Sequence, residues 1–259
     1  MKMYVLDNGV IRMDTDERVT GGESASIPIH SFLFETPQGY LLFDSGCDPE
    51  GMSGVWPGAM RKNPYLPGFH GTVPERLNDL GINPKDIRFA VMSHLHIDHA
   101  GCLKFFTDAE VFVNREEFRR VMQDYAEERM NGFHLKSDVD NWLKAGIHWN
   151  FINEEQSSFD LMPGIRILNF GPGHSYGMLG IEATLSKGRK FLLVSDAIYA
   201  KSNIGPPVQV PGIVCDPEGY KKTVHRILEI SRTENAKVLF GHDSGQFAAL
   251  TKSDRGFYE

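Results

Sequence analysis

Ser93-His94-Leu95-His96-Ile97-Asp98-His99-Ala100-Gly101 places three imidazoles and a carboxylate within the six positions 94–99. Each of these groups must be hydrogen-bonded or metal-bound if it is buried. Imidazole with carboxylate is also the donor set that Zn²⁺ and similar borderline cations accept. The run follows Arg88-Phe89-Ala90-Val91-Met92, a short apolar stretch that reads as a buried strand. The cluster therefore lies where a strand ends and a loop opens, the position at which a rigid scaffold presents functional groups.

The same arrangement recurs three times downstream. Gly171-Pro172-Gly173-His174-Ser175 follows a strand ending at Phe170, Ser195-Asp196-Ala197-Ile198-Tyr199 follows one ending at Val194, and Gly241-His242-Asp243 follows one ending at Phe240. A lone His at a strand end is ordinarily structural, but four such ends can converge on one edge of a pair of sheets. The resulting set is His94, His96, Asp98, His99, His174, Asp196 and His242. It is too large for one tetrahedral ion and suits two: three His on one, Asp98 with two His on the other, and Asp196 able to bridge. Ions paired at roughly 3.5–4 Å activate water and polarise a carbonyl or phosphoryl group together.

His-x-His-x-Asp-His followed by His174, Asp196 and His242 resembles the metallo-β-lactamase superfamily, over a span from about Ile27 to His242. Asp44-Ser45-Gly46 matches the early Asp of that family, which supports the metal ligands from behind. Within the superfamily, residues 171–175, Asp196-x-x-Tyr199 and Gly241-His242-Asp243 are most similar to the N-acyl-homoserine lactonase group. Gly171 and Met178 depart from the Thr and His common at those points. The resemblance implies a four-layer αββα sandwich, with residues 1–259 forming a single hydrolase domain. It implies two divalent ions, Zn²⁺ being the expected metal, and a small lactone as substrate, opened by water. Tyr199 would reach the substrate carbonyl oxygen. Asp98, a carboxylate at the second ion, would carry the proton to the departing ring oxygen. The alternative is another ester, thioester or lactone hydrolase of this fold, pyridoxolactonase-like or glyoxalase-II-like. The di-iron branch resembles His-x-Glu-x-Asp, and His96 stands where its Glu would be.

The rest of the chain agrees with a soluble enzyme acting on a small molecule. Its 259 residues are enough for a full core. Hydrophobic residues make up 41% and charged ones 24%, with a net charge of −7. An acidic chain without Lys/Arg runs argues against nucleic acid, including the tRNA-processing branch of the fold, and against an anionic membrane. Three scattered cysteines, Cys47, Cys102 and Cys215, form no disulfide framework and suit a reducing cytoplasm. The N-terminus turns polar too early for a signal peptide, and no apolar run approaches the roughly 20 residues that span a bilayer. Oligomeric state is not legible.

Local signals order the elements. Ile29–Thr36 and Tyr40–Asp44 flank Pro37-Gln38-Gly39, a hairpin signal. Pro74–Leu80 reads as a helix stopped by Gly81. Ile87–Met92 and Glu110–Val113 read as strands. Asn114 with Glu117 three positions on reads as a capping box, opening a helix whose apolar face holds Phe118, Val121, Met122 and Tyr125. Residues 50–72, 131–150 and 202–214 show no clear period. Ile165–Phe170, Met178–Leu185, Lys190–Val194 and Ala236–Phe240 read as strands. Asp216-Pro217 opens a helix running to about Arg232. This rhythm, strands then helix, twice, implies two sheets with helices outside. His30, His70, His134, His148 and His225 lack ligand spacing and are expected on the surface or in loops. Cys47 and Cys102 are expected as packed thiols. Met52, Trp56, Met60, Tyr65, Phe69, Phe133 and Trp142 fit an apolar pocket or simple core packing equally well.

Overall fold

The computed structural model describes residues 1–13, 25–53, 56, 63–68, 71–130 and 132–259. Met60, Phe69 and His70, and the side chain of Met52, lie outside the described residues.

The first half of the chain builds a sheet from β1 (Lys2–Met13), β2 (Ala25–Thr36), β3 (Gly39–Phe43), β4 (Tyr65–Leu66), β5 (Ile87–Val91), β6 (Glu110–Asn114) and β7 (His148–Ile152). Their spatial order is β4-β1-β2-β3-β5-β6-β7. The hairpin is present, with Thr36 opposite Gly39; Gly39 adopts a φ of 117°, which a side chain would resist. From β3 onward the pairing turns parallel, β3 to β5 to β6 to β7. The second half builds a sheet from β8 (Ser158–Met162), β9 (Ile165–Gly171), β10 (Met178–Thr184), β11 (Lys190–Ser195) and β12 (Lys237–Phe240), in the order β12-β11-β10-β9-β8.

Alternation along the strands assigns the layers. In β2, Phe32 and Phe34 belong to one cluster and Leu33 to another, as a period of two requires. The first cluster joins Val5, Phe32, Phe34, Leu41, Phe43 and Val91 of one sheet to Ile167, Leu179, Ile181, Leu193 and Leu239 of the other. The two sheets therefore pack face to face. The outward residues of the first sheet, Leu6, Leu33, Leu42, Ala90 and Val111, meet Val73 and Leu77 of α1 (Val73–Asp79), Val121 of α3 (Arg115–Ala126), and Val139 and Trp142 of α4 (Lys136–Ala145). Those of the second sheet, Leu168, Leu192 and Val194, meet Tyr220, Val224 and Ile227 of α5 (Pro217–Glu234). The layers run α-β-β-α. One-turn α2 (Ile97–Ala100) and C-terminal α6 (Ser244–Ala249) complete the α-helices among the described residues.

Predicted strand and helix ends agree with these bounds to within a residue or two, except that β2 starts four residues before Ile29. Seven elements were not legible: β1, β4, β7, β8, α2, α4 and α6. Strand β1 is interrupted by polar Asp7-Asn8-Gly9 and by an irregularity in register between Asp7 and Val10. Strand β8 is a half-exposed edge. Helix α4 has no side-chain N-cap, and its buried side includes a carboxylate, Asp138. Helix α6 is only six residues long. Within residues 131–150, read as irregular, α4 and part of β7 are therefore regular. Among the described residues no helix is long and apolar enough to cross a membrane.

Candidate metal centre

Each strand that should deliver a ligand-type residue does so at the same edge of the sandwich. His94, His96, Asp98 and His99 follow β5, His174 follows β9, Asp196 follows β11 and His242 follows β12. All are buried, none more than 9% exposed. They fall into three adjoining groups: His94, His96 and His174; Asp98, His99 and His242; and His94, His99 and Asp196. Within each group one donor atom per residue lies within 4.8 Å of the others. Asp196 reaches across: its Oδ2 is 3.2 Å from His174 Nε2, and its Oδ1 is 3.3 Å from His99 Nε2 and 3.1 Å from His242 Nε2. Asp98 Oδ2 is 3.5 Å from both His99 Nε2 and His242 Nε2.

The outer nitrogens of the imidazoles are tied down. His174 Nδ1 lies 2.9 Å from the Ile213 carbonyl and His242 Nδ1 lies 2.9 Å from the Pro28 carbonyl. A carbonyl only accepts, so both Nδ1 atoms carry a proton, and in the neutral imidazole each Nε2 is the atom left to present a lone pair inward. His99 Nδ1 donates to Asp44 Oδ2 at 2.9 Å, and His94 Nδ1 meets the Ser93 hydroxyl at 2.9 Å. Asp44 also accepts the Ser93 N–H at 2.7 Å, the Ser93 hydroxyl at 2.8 Å and the Ser195 hydroxyl at 3.2 Å. Asp44 and Ser195 hold positive φ, 62° and 47°, costing roughly 1–2 kcal/mol each, and this interlocking network over-determines both. Gly241 has a separate reason: a Cβ there would fall 2.5 Å from Asp196 Oδ1.

The electrostatics differ between the two sides. Burial, reinforced by neighbouring imidazoles, holds His94 and His96 well below the ordinary histidine range, so both are neutral donors. Burial also lowers His99 and His242, but the carboxylates outweigh it and raise both: Asp98, Asp196 and Asp44 act on His99, Asp196 and Asp98 on His242. Burial would raise Asp196, yet His242, His99 and His174 pull it well below its usual value. The Asp98 side of the site thus attracts positive charge, while the three-imidazole side offers neutral lone pairs.

His94 Nε2, His99 Nε2 and Asp196 Oδ1 are buried and make no hydrogen bond with any described residue. An unsatisfied buried polar atom costs about 1–3 kcal/mol. Here all three converge in one group, an arrangement that cations bound between them would satisfy. The N/O donor set fits borderline divalent ions.

Tyr199 is half-buried, its ring 5.0 Å from that of His174 and 5.1 Å edge-on from that of His242. It thus stands between one imidazole of each triad. The Phe133 ring lies 5.6 Å from that of His96, whereas Trp56 and Tyr65 pack with Ile97 in a small core and Trp142 packs under the first sheet. Cys47 and Cys102 are buried, as expected, and Cys215 is exposed. Asp243 caps α6 by accepting the Gln246 N–H.

Two histidines differ from expectation. His134 is 2% exposed, with its ring 4.5 Å from that of His96. His30 is only half-buried as a residue, but its ring stacks on Phe247, and burial lowers its pKa to about 3. His148 and His225 are exposed. The capping box at Asn114 is half present: Asn114 Oδ1 accepts the N–H groups of Glu116 and Glu117, but the Glu117 carboxylate turns into the interior. No local sequence signal marks His134 or Glu117 as a neighbour of the centre, because their partners come from distant loops.

The chain belongs to the metallo-beta-lactamase superfamily, whose family model matches residues 27–242. It is 38% identical over 273 residues to the N-acyl homoserine lactonase AiiB of Agrobacterium fabrum, a match covering 100% of this chain and 99% of that protein. It is 28% identical over 252 residues to the N-acyl homoserine lactonase AiiA of Bacillus thuringiensis subsp. kurstaki, covering 95% and 94%. A crystal structure of a B. thuringiensis AiiA mutant with N-decanoyl-L-homoserine bound at the active site matches with a TM-score of 0.82 at 25% identity, over 99% of this chain and 98% of that one.

Proposed function

We propose that residues 1–259 form one hydrolase domain that opens the lactone ring of N-acyl homoserine lactones. The observation that carries this reading is the pair of buried triads joined by Asp196, with Tyr199 between them, in a chain similar to lactonases over its whole length. His94, His96 and His174 would hold one divalent ion and Asp98, His99 and His242 the other, with Asp196 facing both and Zn²⁺ the metal. When bound, such a pair supplies Lewis acidity and a water of lowered pKa.

The chain's own residues do the rest. Ring opening adds one water across the ester: a C–O bond forms at the carbonyl carbon, the ring C–O bond breaks, and the departing alkoxide takes a proton. Tyr199 would donate a hydrogen bond to the carbonyl oxygen as negative charge grows there, an interaction stronger in the transition state than in the ground state. Asp98 would return the proton to the ring oxygen. Phe133, half-buried beside His96, offers an apolar surface to an acyl tail. Three free cysteines suit a reducing cytoplasm.

The test is incubation of metal-loaded protein with short- and long-chain acyl homoserine lactones, a thioester and a phosphodiester, followed by mass spectrometry. Ring-opened acyl homoserine is the expected product. Closed lactones alongside a cleaved thioester or phosphodiester would sink the lactonase reading and leave a hydrolase of the same fold with another substrate.

A further inference from the structure

Glu117, the third residue of α3, is fully buried, and a buried carboxylate needs donors to remain there. It finds them on three separate loops. Oε1 accepts the Leu95 N–H at 2.9 Å. Both oxygens lie within reach of the Ser175 hydroxyl, at 2.9 and 2.8 Å. Oε2 accepts the Gly177 N–H at 3.1 Å. His134 Nε2 stands 3.1 Å from Oε1. The approach is close: a Cβ on Gly177 would fall 2.1 Å from Asn114 Oδ1.

None of these partners is a candidate ligand, yet two adjoin one. Leu95 lies between His94 and His96, and Ser175 follows His174. His96 Nδ1 and His174 Nε2 are 3.0 Å apart, and these two residues come from loops that only Glu117, among the groups just named, bonds simultaneously. His134 packs on the other flank, between the ring of His96 and that of Tyr176, which it stacks at 5.6 Å.

We propose that Glu117, braced by His134, is a positioning residue that clamps the His94–His96 loop to the His174 loop and so sets the geometry of the three-imidazole site. This rests on the reading that those imidazoles hold a metal ion. Glutamine cannot substitute. Its NH₂ must replace either Oε1, facing the Leu95 N–H, or Oε2, facing the Gly177 N–H, and a backbone donor cannot reverse its role. Loss of a group that bonds a ligand side chain directly typically costs about 10–100-fold in metal affinity, and Glu117 acts one step further back, so that range is an upper bound for it.

The experiment strips wild type, Glu117→Gln, Ser175→Ala and His96→Ala, then titrates each with Co²⁺ against a chelating competitor while recording visible absorption. His96→Ala assigns the signal of the three-imidazole site by removing it. Wild type should take up two ions. Glu117→Gln should weaken the assigned site measurably, by up to about 100-fold, and alter its visible bands, leaving the other site near wild type. Equal weakening of both sites, or no weakening of either, overturns the clamp. If Glu117→Gln does not fold, Ser175→Ala decides, since it removes one donor and keeps the carboxylate. A smaller weakening confined to the assigned site upholds the proposal, and an unchanged site overturns it. Wild type that binds no Co²⁺ through His96 overturns the metal reading itself, and the clamp with it.

Discussion

Replacing Asp44 by Asn probes the centre without touching a candidate ligand. Asn tolerates positive φ better than most residues, so the 62° conformation survives the change. The hydrogen bonds do not. If the new NH₂ takes the place of Oδ1, it faces the Ser93 N–H, 2.7 Å away in the wild type, donor against donor. If it takes the place of Oδ2, it faces His99 Nδ1 at 2.9 Å. The imidazole must then accept there, which moves its proton to Nε2, the atom aimed at Asp98 and Asp196. Metal binding would first have to displace that proton. Losing the carboxylate partner of a metal-binding histidine costs about 10–100-fold in affinity, or roughly 1.4–2.7 kcal/mol. The metal-free fold should lose about 1–3 kcal/mol, the usual cost of one unsatisfied buried donor. A chelator-competition titration with Zn²⁺ measures the first quantity and urea unfolding of stripped protein the second. The expected loss falls on the Asp98–His99–His242 side, whereas the Glu117 variant affects the opposite one. A folded Asp44→Asn that binds both ions with wild-type affinity would falsify the tautomer argument.

Asp196→Asn should reduce turnover by orders of magnitude with the fold retained, because the carboxylate that faces both triads loses its charge; near-normal turnover with two ions bound, by elemental analysis, would remove it from the bridging position. Tyr199→Phe should leave metal content unchanged and lower kcat, by at most the 10²–10³ typical of a lost oxyanion donor; steady-state kinetics on several lactones check this, and an unchanged kcat assigns the ring to packing. Chelation should lower the melting temperature, since an ion at 1,000 times its Kd stabilises the native state by about 4 kcal/mol; identical calorimetric melts with and without metal would contradict a centre coupled to folding.

The candidate centre was legible in the sequence to an unusual degree because ligand chemistry leaves few choices. Only a handful of residue types offer lone pairs to a borderline cation, and His94, His96, Asp98, His99, His174, Asp196 and His242 all lie on segments that follow strands, Asp98 and His99 on the one-turn α2. The strands themselves were legible through apolar runs and period-two alternation, signals confined to a few neighbouring residues. The same reasoning failed where local chemistry was ambiguous: β1 carries polar residues at its irregularity, α4 lacks a side-chain cap, and Glu117 satisfied the pattern of a capping box while its carboxylate went elsewhere. Which nitrogen of each imidazole faces inward, where the Tyr199 ring stands, and that His134 is buried beside His96 were decided only by the tertiary structure. His96 and His174 are 78 positions apart, and Ser195 is 151 from Asp44. Such contacts follow from how two sheets stack and which edges they share, and no periodicity within either segment encodes that packing.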